Sequence, residues 1–334
     1  MHVFNLYLLI FVSINFLLIL YFDKISIFHH VIDKPDNVRK FHPKPVPLAG
    51  GIILILNLIL YFFILTLDNN IFLNQLFFDQ KYKLYLFITL CLLIFLIGLI
   101  DDKINLSPLK KFLFLSIIVF VALNFDQNLI ISDIRISSLE LNIKLGKFSF
   151  LFSYFCFIVF LNAFNMFDGI NLQSSIYSII IFSFILIFHN NNFFIQILLI
   201  YLFFFSYLNY KNKSFLGDGG TLLIAFIISY VFIKLYNLEL IRYTDQIFIY
   251  MMLPGIDLIR LFFKRIVNKK NPLRPDRNHL HHLLIKKFTN IKSLLIMQFL
   301  IIIPLLISYY NVDIFIIILS SIIIYSMTIY LLEK

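Results

Sequence analysis

The chain has 334 residues, 61% of them hydrophobic and 14% charged, with a net charge of +10 and a mean hydropathy of +0.93. A soluble globular domain carries about 25% charged residues, so that class is excluded and an all-α polytopic membrane protein is expected. In such a chain basic excess sets orientation and meets the headgroups of membrane lipids, so no nucleic-acid partner is expected.

Stretches long enough to cross the hydrocarbon fall at about 3–22, 47–67, 84–100, 108–124, 149–165, 173–189, 193–209, 220–236, 245–263, 293–309 and 313–332, or about eleven transmembrane helices. The first has no basic n-region and no small-residue cleavage site, so a retained helix is expected rather than a signal peptide. Spans 149–165 and 220–236 are the least clear, because polar residues crowd one end of each. Residues 131–148, ISDIRISSLELNIKLGKF, partly alternate and predict a small hairpin. Cys91 and Cys156 lie far apart inside apolar spans and read as small buried hydrophobes. No internal repeat is evident, and residues 1–334 read as a single integral-membrane domain.

Alternate loops differ in basic content. Twenty Lys and Arg fall on one side and seven on the other, which predicts an N-out/C-in layout. Under that parity four polar motifs reach the cytoplasmic face. GLIDDK (98–103) ends the third span, NAFNMFDGINL (162–172) bridges the fifth and sixth, FLGDGGT (215–221) opens the eighth, and RPDRNHLHHLL (274–284) follows the ninth. Ionisable groups gathered on one membrane face predict one active site at that interface.

Each motif has its own chemistry. Asp101 and Asp102 end a helix, where the dipole disfavours acids unless a cation is near. Adjacent helical residues point about 100° apart, so one could face a metal and the other a substrate phosphate. Asp218 and the backbone N–H groups around it open a helix, which suits phosphate, and Asp218 offers a hard oxygen to Mg²⁺. Asn162, Asn165 and Asp168 follow one stripe if helical, although amides at an interface often satisfy neighbouring backbone instead. The loop KPDNVRKFHPKPVPLAGG (34–51) carries Arg39, Lys40, His42 and Lys44 among four prolines; positive-inside bias explains most of its charge, and a lipid-phosphate site could share it. Three histidines in four positions, His279, His281 and His282, sit beside Arg274 and Arg277. That basic setting repels a dication and welcomes phosphate.

Taken in order from Lys34 to Leu284, RKFHPKPVPLAGG, GLIDDK, NAFNMFDGINL, FLGDGGT and RPDRNHLHHLL resemble the polyprenyl-phosphate N-acetylhexosamine-1-phosphate transferase family. The run PVPLAGG is similar to the branch that initiates O-antigen, enterobacterial common antigen or teichoic-acid linkage units; the related peptidoglycan translocase branch has a different run there. The resemblance implies an enzyme of the bacterial inner membrane that moves HexNAc-1-phosphate from a UDP-N-acetylhexosamine to polyprenyl phosphate. It implies Mg²⁺, with Mn²⁺ as the substitute, and it allows a homodimer. It places Asp218 as the magnesium ligand, with Asp101 or Asp102 as a further candidate, and Asp101, Asp102 and Asp168 as catalytic acids. Phe215 is implied to stack on uracil, and Asn162, Asn165, Asn171, His279, His281, His282, Arg274, Arg277 and Lys44 to contact substrate.

One departure bears on the nucleotide. The family motif continues DGxDG, whereas here Asn171 replaces the second aspartate and Leu172 the glycine. A transporter is the alternative from a different class. It would place ionisable groups near the midplane, often in two related halves; here the acids sit at helix ends and no halves match. The CDP-alcohol phosphotransferase pattern is missing too, since Asp168-Gly169 continues as INLQ.

Overall fold

A computed structural model describes residues 2–35, 44–73, 75–189, 192–271, 277–310 and 312–334. Arg39, Lys40, His42 and Arg274 therefore lie outside the described residues. The helices are α1 (His2–Leu20), α2 (Gly50–Leu67), α3 (Asn69–Leu73), α4 (Lys81–Ile104), α5 (Pro108–Phe125), α6 (Ser149–Phe167), α7 (Gln173–Phe184), α8 (Phe193–Tyr210), α9 (Gly217–Asn237), α10 (Thr244–Val267), α11 (Leu280–Lys287), α12 (Asn290–Ile307) and α13 (Ile314–Glu333). The described residues also form two short antiparallel pairs, β1 (Ile32–Asp33) with β2 (Val46–Pro47) and β3 (Asp133–Ile136) with β4 (Leu141–Lys144).

The protein is an all-α polytopic membrane protein. Nine helices among the described residues are long and apolar enough to cross a bilayer. Two further apolar helical segments, Phe4–Leu20 and Gln173–His189, are shorter, and they occupy the expected first and sixth spans. Both unclear spans form helices, and α9 is buried throughout its apolar window. A helix apolar on all sides is a core element, not a lipid-facing one. The expected hairpin is present, with Asp133 opposite Lys144 and Ile136 opposite Leu141.

The chain divides into two compact units, Met1–Phe125 with Ser178–Ile227, and Asp126–Tyr177 with Ile228–Lys334. In the first, α1 packs on α8, α4 on α5, and α2 on both α4 and α8. Asn15 and Asn57 exchange amide hydrogen bonds at 2.7 and 3.1 Å inside it, so polar groups that lipid could not satisfy pair with each other. In the second, α10 packs on α6, α12 and α13, and α11 covers α12 and α13. Lys234 and Asp126 form a buried ion pair at 2.7 Å there.

Candidate active site

In the first unit the acids are assembled by glycine. Gly98 of α4 lies so close to Asp218 and Gly219 that a Cβ on it would overlap the Gly219 backbone. A Cβ on Gly51 would come within 2.7 Å of Gly220 N, and one on Gly50 within 2.8 Å of Leu216 Cα. Gly217 sits at φ +72°, where a side chain is strained and would also meet Asp102 Oδ2 at 2.7 Å. The starts of α2 and α9 are then tied by backbone hydrogen bonds. Gly50 N–H donates to Phe215 O at 3.1 Å, Gly51 N–H to Leu216 O at 3.2 Å, and Phe215 N–H to Pro47 O at 3.0 Å. The PVPLAGG run is thus a docking strip for FLGDGGT. Lys44, just before it, is exposed.

This junction brings Asp101, Asp102 and Asp218 together. Asp102 accepts from the Asp218 N–H at 2.9 Å and the Gly219 N–H at 3.2 Å, so the last turn of α4 caps the first turn of α9. The acid at the negative end of one helix dipole is stabilised by the positive end of another. Asp101 accepts from Leu106 N–H at 2.6 Å. Lys111 Nζ from α5 lies 2.8 Å from Asp101 Oδ2 and 2.6 Å from Asp218 Oδ2. The cation that the helix-end acids require is therefore Lys111, a residue the sequence shows only as one more charge in a basic loop. Phe215 is half-buried two residues before Gly217.

The cluster offers only hard oxygens. Among the described residues no group of three or more His, Cys, Asp or Glu is arranged to hold a metal ion. Asp101 and Asp218 do converge on one cationic centre, and Mg²⁺ is commonly held by one or two carboxylates with substrate phosphates completing its shell. Both oxygens of Asp102 are already engaged by backbone N–H groups, which leaves Asp101 and Asp218 as the pair that fits such an ion.

The second unit holds the histidines. His279 caps α11 and is buried; its Nδ1 meets Asp257 Oδ2 at 2.8 Å. Asp257 also accepts from Leu280 N–H at 3.2 Å, Arg260 at 2.9 Å and Tyr325 OH at 2.6 Å, and Arg260 donates to Asn278 O at 2.5 Å. A carboxylate only accepts, so the imidazole turns its other nitrogen, Nε2, away from this network. His281 is buried with its ring against Gly169, where any Cβ would overlap it, and among the described residues its Nδ1 has no hydrogen-bond partner. Burial holds the His281 imidazole well below 6.5, and neighbouring His282 and His279 push the same way. Burial likewise lowers His282 to about 4, with help from His279, Arg277 and Lys286. The three rings pack together at 4.1 to 6.3 Å between centroids.

Other expected residues fall differently. Asn162 donates to Ile158 O at 2.7 Å within α6, satisfying its own helix. Asn165 follows one turn later, but α6 stops at Phe167. Asp168 is then the extended C-cap, not a third member of a helical stripe. Asn171 is half-buried, and Leu172 beside it takes φ +71°. The glycine of the DGxDG motif belongs at that position, and leucine holds a left-handed turn there. Asp257 and Arg260 were the missed pair; their signal is two ionisable residues three apart inside an apolar span.

A polytopic membrane protein with clustered acids at helix ends is the class so defined. Residues 84–236 match glycosyl transferase family 4. Over 269 residues the chain is 28% identical to an undecaprenyl-phosphate alpha-N-acetylglucosaminyl 1-phosphate transferase of Thermotoga maritima, covering 80% of this chain and 77% of that protein. The protein of the same description from Yersinia pestis is 27% identical over 283 residues, 79% and 72% of the two chains. That from Escherichia coli strain K12 is 26% identical over 270 residues, 77% and 69%. These matches bear out the resemblance to the polyprenyl-phosphate N-acetylhexosamine-1-phosphate transferase family.

Proposed function

We propose that the protein transfers N-acetylhexosamine-1-phosphate from a UDP-sugar to polyprenyl phosphate, undecaprenyl phosphate in bacteria, and releases UMP. The product starts a lipid-linked cell-envelope glycan. The observation that carries this reading is the junction where Asp101, Asp102 and Asp218 meet around Lys111. The transferase relatives support the same chemistry. Eleven crossings with the N-terminus outside and a cytoplasmic active site belong to this reading, because the UDP-sugar is soluble and the lipid phosphate lies at headgroup depth. The bacterial inner membrane follows from the same substrates.

In the reaction a polyprenyl-phosphate oxygen attacks the β-phosphorus of the UDP-sugar. The new phosphorus–oxygen bond forms as the anhydride bond to the α-phosphate breaks, and UMP leaves with that electron pair. One phosphoanhydride replaces another, so the step is close to energetic balance. Phosphoryl transfer requires positioning and charge neutralisation more than covalent participation by the protein. Lys111 supplies a positive charge held between two acids, and Asp102 holds the N-terminal turn of α9 in place. Bound between Asp218 and Asp101, Mg²⁺ would neutralise diphosphate charge. His279, oriented by Asp257, and Arg277 are assigned to phosphate oxygens, with Asp168 as a further essential acid and Phe215 as a platform for uracil.

Purified protein given Mg²⁺, a UDP-HexNAc and undecaprenyl phosphate should release UMP, and Asp218→Asn should abolish release. A folded protein that yields no UMP from UDP-GlcNAc, UDP-GalNAc or UDP-linked QuiNAc and FucNAc derivatives would overturn the assignment.

A further inference from the structure

We propose that the β3–β4 hairpin is an interfacial anchor whose apolar face lies in the headgroup–acyl boundary of the bilayer. The register puts Ile134 opposite Ile143 and Ile136 opposite Leu141, so these four side chains share one face of the ribbon. Asp133, Arg135, Asn142 and Lys144 take the other face. On the polar side the protein holds Arg135, while Asn142 and Lys144 stay exposed. Arg135 lies over the Tyr236 ring, 4.3 Å from its centroid, and reaches Glu239 at 3.3 Å. Asp245 accepts from the Ser137 N–H and hydroxyl at 2.9 and 2.6 Å, and Thr244 donates to Arg135 O at 2.8 Å. The hairpin is therefore fastened to the starts and ends of spanning helices, yet Leu139, Leu141 and Ile143 remain 59%, 47% and 47% exposed.

Three observations make lipid the occupant. The hairpin follows α5, which ends at Phe125, and precedes α6, which starts at Ser149, so it joins two helices that are long and apolar enough to cross a bilayer. The exposed apolar residues do not stop at its base: Phe148, Leu151, Phe155 and Val159 continue at helical spacing down α6, a stripe that only hydrocarbon covers in a spanning helix. The charge also fits. Asp126 and Asp133 are neutralised by Lys234 and Arg135, while Lys144 on the polar face and Lys147 at the base stand exposed and outnumber the one exposed acid of the hairpin, Glu140. Apolar side chains sunk below a basic rim are the pattern of segments that lie in an anionic interface.

The chain contains no tryptophan, so a single introduced one reports its own surroundings. The full-length Leu141→Trp and Asn142→Trp variants would be reconstituted in vesicles of phosphatidylcholine and phosphatidylglycerol. The phosphatidylcholine would be brominated high on its acyl chains, and iodide would serve as the aqueous quencher. Leu141→Trp should lose most of its emission to brominated lipid and little to iodide, and Asn142→Trp should do the reverse. Quenching of both by iodide alone would place the hairpin in water and overturn the proposal. Shielding of Leu141→Trp from both quenchers would also overturn it, because a second copy or another protein would then cover the face. Both positions are exposed, so folding should be unaffected, and Ile143→Trp repeats the test two residues along the same face.

Discussion

At Asp257 one carboxylate serves four donors, His279, Leu280 N–H, Arg260 and Tyr325. The sequence shows it only as an acid three residues before an arginine inside an apolar span, which gives no hint of a histidine 22 residues later. The histidines were legible as a cluster, but their burial was not. Asp257→Asn keeps the shape yet removes the charge that fixes the His279 tautomer. Turnover should fall roughly 10- to 100-fold, the range for carboxylates that orient a histidine, with KM for the UDP-sugar little changed. Unchanged kcat would make the network purely structural. Leu172 is the opposite case, since the sequence marked it by the missing glycine and the structure shows the consequence at φ +71°. A left-handed non-glycine residue costs about 1–2 kcal/mol, partly offset by the extra chain entropy of glycine. Leu172→Gly should therefore raise the thermal unfolding midpoint in detergent by a small amount. A lower midpoint would mean that the leucine side chain contributes more than its backbone costs.

At the scale of elements, hydropathy predicted the helices well because a bilayer demands about twenty apolar residues per crossing. What hydropathy could not show was how close two helices come. Gly98 reads as a single glycine in an apolar run, and PVPLAGG reads as a turn, yet both are contacts made with the start of α9. Closeness here depends on the absence of a side chain, and an absent atom leaves no periodic signal. The sign of one substitution separates the two views. In an open helix Gly→Ala is stabilising by about 1 kcal/mol. At Gly98 the added methyl overlaps the Gly219 backbone, which cannot rotate away. Overpacking of this kind costs about 1–3 kcal/mol, so Gly98→Ala should destabilise the protein. It should also abolish UMP release, because Asp102 and Asp218 would be forced apart. A stabilised, active variant would show that the two helices are not locked here.

At the scale of the whole molecule, the basic excess that suggested lipid and orientation is spent locally on several acids. Lys111 serves Asp101 and Asp218, Lys234 serves Asp126, and Arg260 serves Asp257. Net charge could not show this, since it counts charges without their distances. The histidine cluster then gives global stability a pH dependence whose sign follows from burial. His281 and His282 are held below 6.5, the latter at about 4, whereas unfolded imidazoles take protons near 6.5. Below 6.5 the unfolded chain thus binds more protons than the folded one, and stability falls as pH falls. The contribution is complete above 6.5 and drains away toward about 4. The groups facing the pair are His279, Arg277 and Lys286, whose charges oppose protonation, and Asp257, which favours it. Other groups of the chain titrate in the same range, so the two imidazoles are isolated by comparing the protein with a variant that lacks them, between neutral pH and about 5. The unfolding midpoint should drop over that interval, and the drop should shrink when His281→Gln and His282→Gln are combined. An equal drop in the double variant would assign the acid sensitivity to other titrating groups of the chain.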